Sequence, residues 1–293
     1  MNDNRMHHNW KIKLILFILI FSACLVIGNF IMAMGLDHFG ISMDKITGGA
    51  EMEEKDISTL KWLSSVNHLI IFTITSLIWI SIYYGKRYFH YKFLDGLLII
   101  YFLTWLLFSF PLIAYSAQLN MMIDLPSWAS EVDNNAMEFL MQMLDMDGIG
   151  DLIINILIIA IIPAIGEEFL FRGVILKELL LTKLNPHFSV IIVSVIFSLF
   201  HFQLASFLPK MVIGLILCYA YYWTRNLMYP IIIHFFNNAM QVTLLYTAAD
   251  QFTDTDPQDV PPIPIFSIIL SAILCAVIVD AIIKRKKTLN EGA

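Results

Sequence analysis

Eight apolar runs decide what this chain can fold into. They lie at roughly 12–34, 66–84, 93–115, 152–180, 188–207, 211–224, 228–247 and 265–283. Crossing the ~30 Å hydrocarbon layer of a bilayer takes about 20 apolar residues as a helix, and a helix pairs every backbone N–H and C=O within its own segment. The runs therefore predict an all-α, polytopic membrane bundle of about eight transmembrane helices. Composition agrees: 58% of the 293 residues are hydrophobic and 14% are charged, with a mean hydropathy of +0.74, too little polar surface to cover a soluble domain.

Cytoplasmic loops of such proteins are rich in Lys and Arg. An N-terminus on the inside places 14 of the 18 basic residues on the cytoplasmic side, among them Arg5, Lys86, Arg87, Lys92 and the KRKK run at 284–287. Lys45, Lys55, Lys61 and Lys210 then fall outside. Both termini come out cytoplasmic (N-in/C-in), and the acid-rich loops 36–65, 116–151 and 249–262 lie on the far face. The net charge of −6 is thus an outer acidic surface and points to no nucleic-acid partner. The first run is flanked by basic residues but lacks a clear small-residue cleavage site, the pattern of an uncleaved anchor. Cys24, Cys218 and Cys275 stand in separate runs, offering neither a disulfide framework nor a CxxC metal site. Between the third and fourth runs, Trp128, Met137, Leu140, Met141 and Leu144 recur among acidic residues. That spacing fits a short amphipathic helix, lying on the membrane or packed on the bundle.

Ionisable groups inside a membrane are costly, so their distribution indicates where function sits. The first three runs hold no ionisable residue at their centres, whereas those between 152 and 247 carry Glu167, Glu168, Arg172, His201 and His234. The chain thus divides into N-terminal spans with outer acidic loops (1–151), a polar-centred core (152–247), and a last loop, span and basic tail (248–293). In GEEFLFRG, Glu168 and Arg172 are four apart and share a helix face, while the neighbouring Glu167 points elsewhere and has no local partner. Pro163 and Gly166, just upstream, loosen the helix and leave backbone groups free. His201 follows Phe197 by four, and His234 precedes Asn238 by four. At 1.5 Å per residue, Glu167, His234 and His201 rise roughly 15, 14 and 20 Å above the cytoplasmic boundary, so one layer can hold all three.

These residues carry a resemblance. Glu167, Glu168 and Arg172 as EExxxR, Phe197 and His201 as FxxxH, and His234 and Asn238 as HxxxN match, in order, the motifs of the CAAX prenyl endopeptidase and bacteriocin-processing superfamily of intramembrane proteases. The resemblance covers about 152–247. It implies an integral protein of a bacterial cytoplasmic (inner) membrane that hydrolyses a peptide bond of a membrane-associated polypeptide. In that scheme Glu167, with His201, activates water, and His234 and Asn238 donate to the oxyanion. Glu168 and Arg172 then orient the helix and Phe197 packs beside His201.

No cofactor is called for, and HExxH and GxSxG are absent from the sequence. A zinc alternative would use Glu167, His201 and His234 as a His₂Glu site. A proton-relaying transporter and a non-catalytic immunity or scaffold protein are the readings from other classes.

Overall fold

The computed structural model describes residues 10–42, 45–46, 52–85, 88, 94–144, 146–253 and 262–291. Arg5, Lys86, Arg87, Lys92 and parts of the acidic loops 36–65, 116–151 and 249–262 lie outside the described residues. Among those described, the chain is helical and forms no strand. We number the helices α1 (Trp10–Phe39), α2 (Glu54–Tyr83), α3 (Gly96–Met121), α4 (Ser127–Met143), α5 (Ile149–Leu180), α6 (Pro186–Leu199), α7 (Phe207–Thr224), α8 (Met228–Thr253) and α9 (Ile265–Glu291). Each predicted apolar run is one of these helices, and α4 is the amphipathic segment between the third and fourth runs.

Six of them, α1, α2, α3, α5, α9 and the stretch Leu204–Thr224 containing α7, are long and apolar enough to cross a membrane. The polar side chains of His234, Asn237, Asn238 and Gln241 lower the hydropathy of α8, and α6 is short. The run 188–207 is expected to be one continuous helix, but α6 stops at Leu199 after 14 residues, about 21 Å of rise. The stop has a local cause. Nδ1 of His201 lies 2.9 Å from the carbonyl of Phe197, four residues back, while the His201 backbone N–H turns to Ser198 O at 3.3 Å. Phe202 then adopts a left-handed φ of 53°, and the chain reverses into α7. Backbone leaving a helix at membrane depth needs protein partners. Asn120 of α3 supplies two of them, donating to Leu204 O and accepting from Leu208 N, each at 2.8 Å. Asp133 of α4 supplies a third, accepting from Ala205 N at 2.7 Å.

The ends of the helices sort onto two faces. On one, Lys13 of α1 pairs with Glu178 near the end of α5 at 2.9 Å. On the same face Asp95 caps α3, accepting from Leu98 N, and binds Arg285 of α9 through its guanidinium at 2.6 Å. The hydroxyl of Tyr229 in α8 accepts from the Asp95 backbone N–H at 2.9 Å. The Arg285 guanidinium holds the Asp95 carboxyl below the usual carboxylate range. The start of α1, the start of α3 and the end of α9 therefore share a face, and the Asn120 and Asp133 contacts lie on the opposite one. Two apolar clusters fill the interior. Trp79, Phe171, Leu176, Val190, Phe197 and Tyr221 join α2, α5, α6 and α7, and Phe102, Leu106, Leu217, Ile233 and Ile282 join α3, α7, α8 and α9. The outer side of α1 exposes Trp10, Ile15, Leu19, Val26 and Phe30, as a lipid-facing helix does.

Candidate active site

α5 is not a regular helix. Its backbone widens into π turns over Ile156–Ile161 and Phe169–Leu176, with the two glutamates on the α-helical stretch between them. Proline explains the first widening. Pro163 has no N–H to give the carbonyl of Ile159, four residues back. Asn238 of α8 fills the gap, donating Nδ2–H to Ile159 O at 3.2 Å. Freed backbone groups are thus present around Pro163, as its sequence position suggests.

Glu168 and Arg172 are both fully buried, and Arg172 Nη1 donates to Glu168 Oε1 at 2.6 Å. Arg172 Nη2 donates to Gly214 O of α7 at 3.1 Å. The same Glu168 oxygen lies 2.8 Å from Nδ1 of His234. The arginine-paired carboxylate can only accept there, so Nδ1 carries the proton and Nε2 is turned towards Glu167, 4.0 Å from its Oε2. Glu168 is therefore both the partner of Arg172 and the group that fixes the ring of His234.

Glu167 is held differently. Its Oε1 lies 3.2 Å from Nε2 of His68, and its buried Oε2 has no hydrogen-bond partner among the described residues. His201 is within electrostatic reach of Glu167. Because Phe197 O only accepts, His201 carries its proton on Nδ1 and leaves Nε2 as an acceptor. Phe197 joins the constellation. Its ring lies 4.9 Å from that of His201 and 5.9 Å from that of His234, both edge-on, and the Arg172 guanidinium sits 4.6 Å from its centroid. Glu167, Glu168, Arg172, Phe197, His201 and His234 are brought together at the junction of α5, α6 and α8, and Asn238, one turn beyond His234, meets α5 at the Ile159 carbonyl.

Two features depart from the expectations. Asn238 already spends one amide hydrogen on the α5 backbone and accepts from Asn237 Nδ2 at 3.1 Å, so it has a single N–H left to offer. His68 also joins the site, although the first three runs hold no ionisable residue at their centres. The apolar run beginning at 66 covers only the second half of α2; the helix starts at Glu54, which puts His68 at its middle. A histidine four residues before a phenylalanine, as in FxxxH reversed, was the available signal. For the zinc alternative, Phe197 O and Glu168 hold Nδ1 of His201 and His234 as the outer nitrogens of metal-bound histidines are held, which leaves each Nε2 for a ligand role, while no three His, Cys, Asp or Glu side chains among the described residues stand close enough together to hold a metal ion.

A largely buried carboxylate flanked by histidines, beside a second carboxylate neutralised by arginine, can act as a general base in hydrolysis. Comparison with known proteins agrees at that level. Residues 149–240 match the family model described as Type II CAAX prenyl endopeptidase Rce1-like. No curated protein and no solved structure matches the chain. The matched segment runs from the start of α5 to the middle of α8 and includes every motif residue, so over residues 149–240 this integral membrane protein is similar to the type II CAAX prenyl endopeptidases.

Proposed function

We propose that the chain is an intramembrane endopeptidase that hydrolyses a peptide bond of a membrane-associated polypeptide with water activated by Glu167. What carries this reading is the unequal treatment of two adjacent glutamates. Glu168 is ion-paired with Arg172 and bonded to His234 through Oε1, whereas Glu167 has no arginine partner, is met on Oε1 by His68 and turns its unpartnered Oε2 towards His234. Water held between Glu167 and Nε2 of His201 gives its proton to the carboxylate as its oxygen attacks the scissile carbonyl carbon. His234, held through Nδ1–H by Glu168, faces the same space, and a proton on its Nε2 is the donor that receives the developing oxyanion. The remaining N–H of Asn238 is the second donor. The proton taken by Glu167 passes to the leaving amine when the tetrahedral adduct collapses. Two carboxylates, one guanidinium and one imidazolium sum to zero charge, which suits a low-dielectric interior.

The substrate is reached by trapping. Glu167→Gln keeps the shape of the side chain and removes the base. In native membranes it is expected to abolish cleavage with unchanged expression and to accumulate an uncleaved polypeptide that wild type processes. Equal polypeptide profiles in the two membranes would refute the peptidase reading. Purified enzyme is expected to keep its activity after exhaustive chelation; activity lost on chelation and restored by zinc would replace the metal-free mechanism.

A further inference from the structure

We propose that His68 is a positioning residue of this peptidase site, donating its Nε2–H to Oε1 of Glu167 so that Oε2 is the oxygen left to receive the proton of water; the proposal rests on the peptidase reading above. Three separate features build the ring of His68 into place. Its Nε2 is 3.2 Å from Glu167 Oε1 across the α2–α5 interface. Its face is stacked on Phe72, with ring centroids 4.3 Å apart and planes 18° from parallel. On the α5 side only a glycine fits: a Cβ on Gly166 would lie 2.9 Å from His68 Cε1 and 3.0 Å from Thr73 Oγ1. The backbone follows suit, for a π turn opens at Leu69, immediately after His68, as another opens at Phe169, immediately after Glu168. Such π turns inside helices concentrate at functional sites.

A structural tie between α2 and α5 would also use this contact, but the chemistry separates the two roles. A carboxylate free to rotate presents either oxygen to water. One whose Oε1 accepts a fixed N–H presents only Oε2, on the side facing His234. The hydrogen bond survives proton transfer, because the proton goes to Oε2 while Oε1 remains an acceptor. His68 therefore acts through Glu167 on the rate of the chemical step and leaves substrate affinity alone.

The test uses full-length enzyme in proteoliposomes and, as probe, the polypeptide that accumulates with Glu167→Gln. His68→Phe is expected to lower kcat on the order of 10²-fold, with KM within about threefold and an unchanged Tm. His68→Gln, whose amide nitrogen reaches where Nε2 stands, is expected to recover at least about a tenth of wild-type kcat. Wild-type kcat in His68→Phe, or no recovery in His68→Gln, overturns the proposal. Should His68→Phe fail to fold, His68→Gln is compared with the shorter His68→Asn. Turnover at least about tenfold faster in Gln than in Asn supports it, and equal rates overturn it. Cleavage by Glu167→Gln itself would instead defeat the assignment of Glu167 as the base, so the two failures are distinct.

Discussion

Glu168 illustrates how much one buried carboxylate can hold. Its Oε1 accepts from Arg172 on its own helix and from His234 on α8, so it joins two elements and orients one catalytic ring. Glu168→Gln takes away the carboxylate that pairs with the fully buried guanidinium of Arg172 and leaves it neutral acceptors such as the Gly214 carbonyl. Breaking a buried ion pair by removing one partner costs about 3–5 kcal/mol. We expect Glu168→Gln to lower the Tm in detergent by several degrees, while Glu167→Gln, at a side chain without an arginine partner, leaves it nearly unchanged. Thermal unfolding of the two variants side by side checks this. Equal Tm losses would remove the division of labour between the two glutamates.

Local departures from ideal helices create the site at the level of the element. The π turns at Leu69–Ile74, Ile156–Ile161 and Phe169–Leu176 lie next to His68, at the Asn238 contact and next to Glu168. The early end of α6 lets His201 occupy a turn whose backbone is satisfied from α3 and α4. Asn120, 1% exposed, makes two of those hydrogen bonds, and Asn120→Ala leaves one buried carbonyl and one buried N–H unpaired. Each orphaned group costs about 1–3 kcal/mol. Amide exchange over 201–208 is therefore expected to accelerate more than about tenfold, with turnover falling because His201 is displaced. Exchange around the Asp95–Arg285 pair, at the opposite ends of α3 and α9, should not change. Protection at 201–208 equal to that of wild type would show that Asn120 does not hold the turn.

Across the whole molecule, the contacts at the helix ends make one face hold the start of α1, the start of α3 and the end of α9. The distribution of basic residues predicts that this face is cytoplasmic. Single cysteines at positions 55 and 288, in a background without Cys24, Cys218 and Cys275, should react with impermeant reagents from opposite sides of intact membranes. Labelling of both from one side would end the eight-span arrangement. The Asp95–Arg285 pair ties α3 to α9 on this face and carries a pH signature. The folded-state pKa of Asp95 is depressed by Arg285, so its contribution to stability is complete above the unfolded value of about 4 and is lost as pH falls below it. The Tm difference between wild type and Asp95→Asn should therefore shrink as pH is lowered from 6 to about 3. A difference independent of pH would show that the pair contributes nothing through its charge.

The helical class, the membrane setting and the identities of the motif residues were legible in the chain because each depends on short-range information. Apolar run length answers to bilayer thickness, and an i, i+4 spacing such as Glu168 to Arg172 answers to helix pitch. Pro163 even announced the carbonyl that would need an outside partner. The early end of α6 was not legible: Leu199, Phe200 and Phe202 are as apolar as any helix interior, and the turn there depends on Asn120 and Asp133 arriving from elsewhere. His68 escaped for the same reason. Hydropathy placed the start of its span twelve residues too late, because the first half of α2 is polar and becomes helical by packing against α1 and α4. Which oxygen of Glu167 stays unpartnered was settled only when α2, α5 and α8 met. A hydrogen bond between helices depends on side chains a few ångströms apart in space, and His68 and Glu167 are separated by 99 positions in the chain.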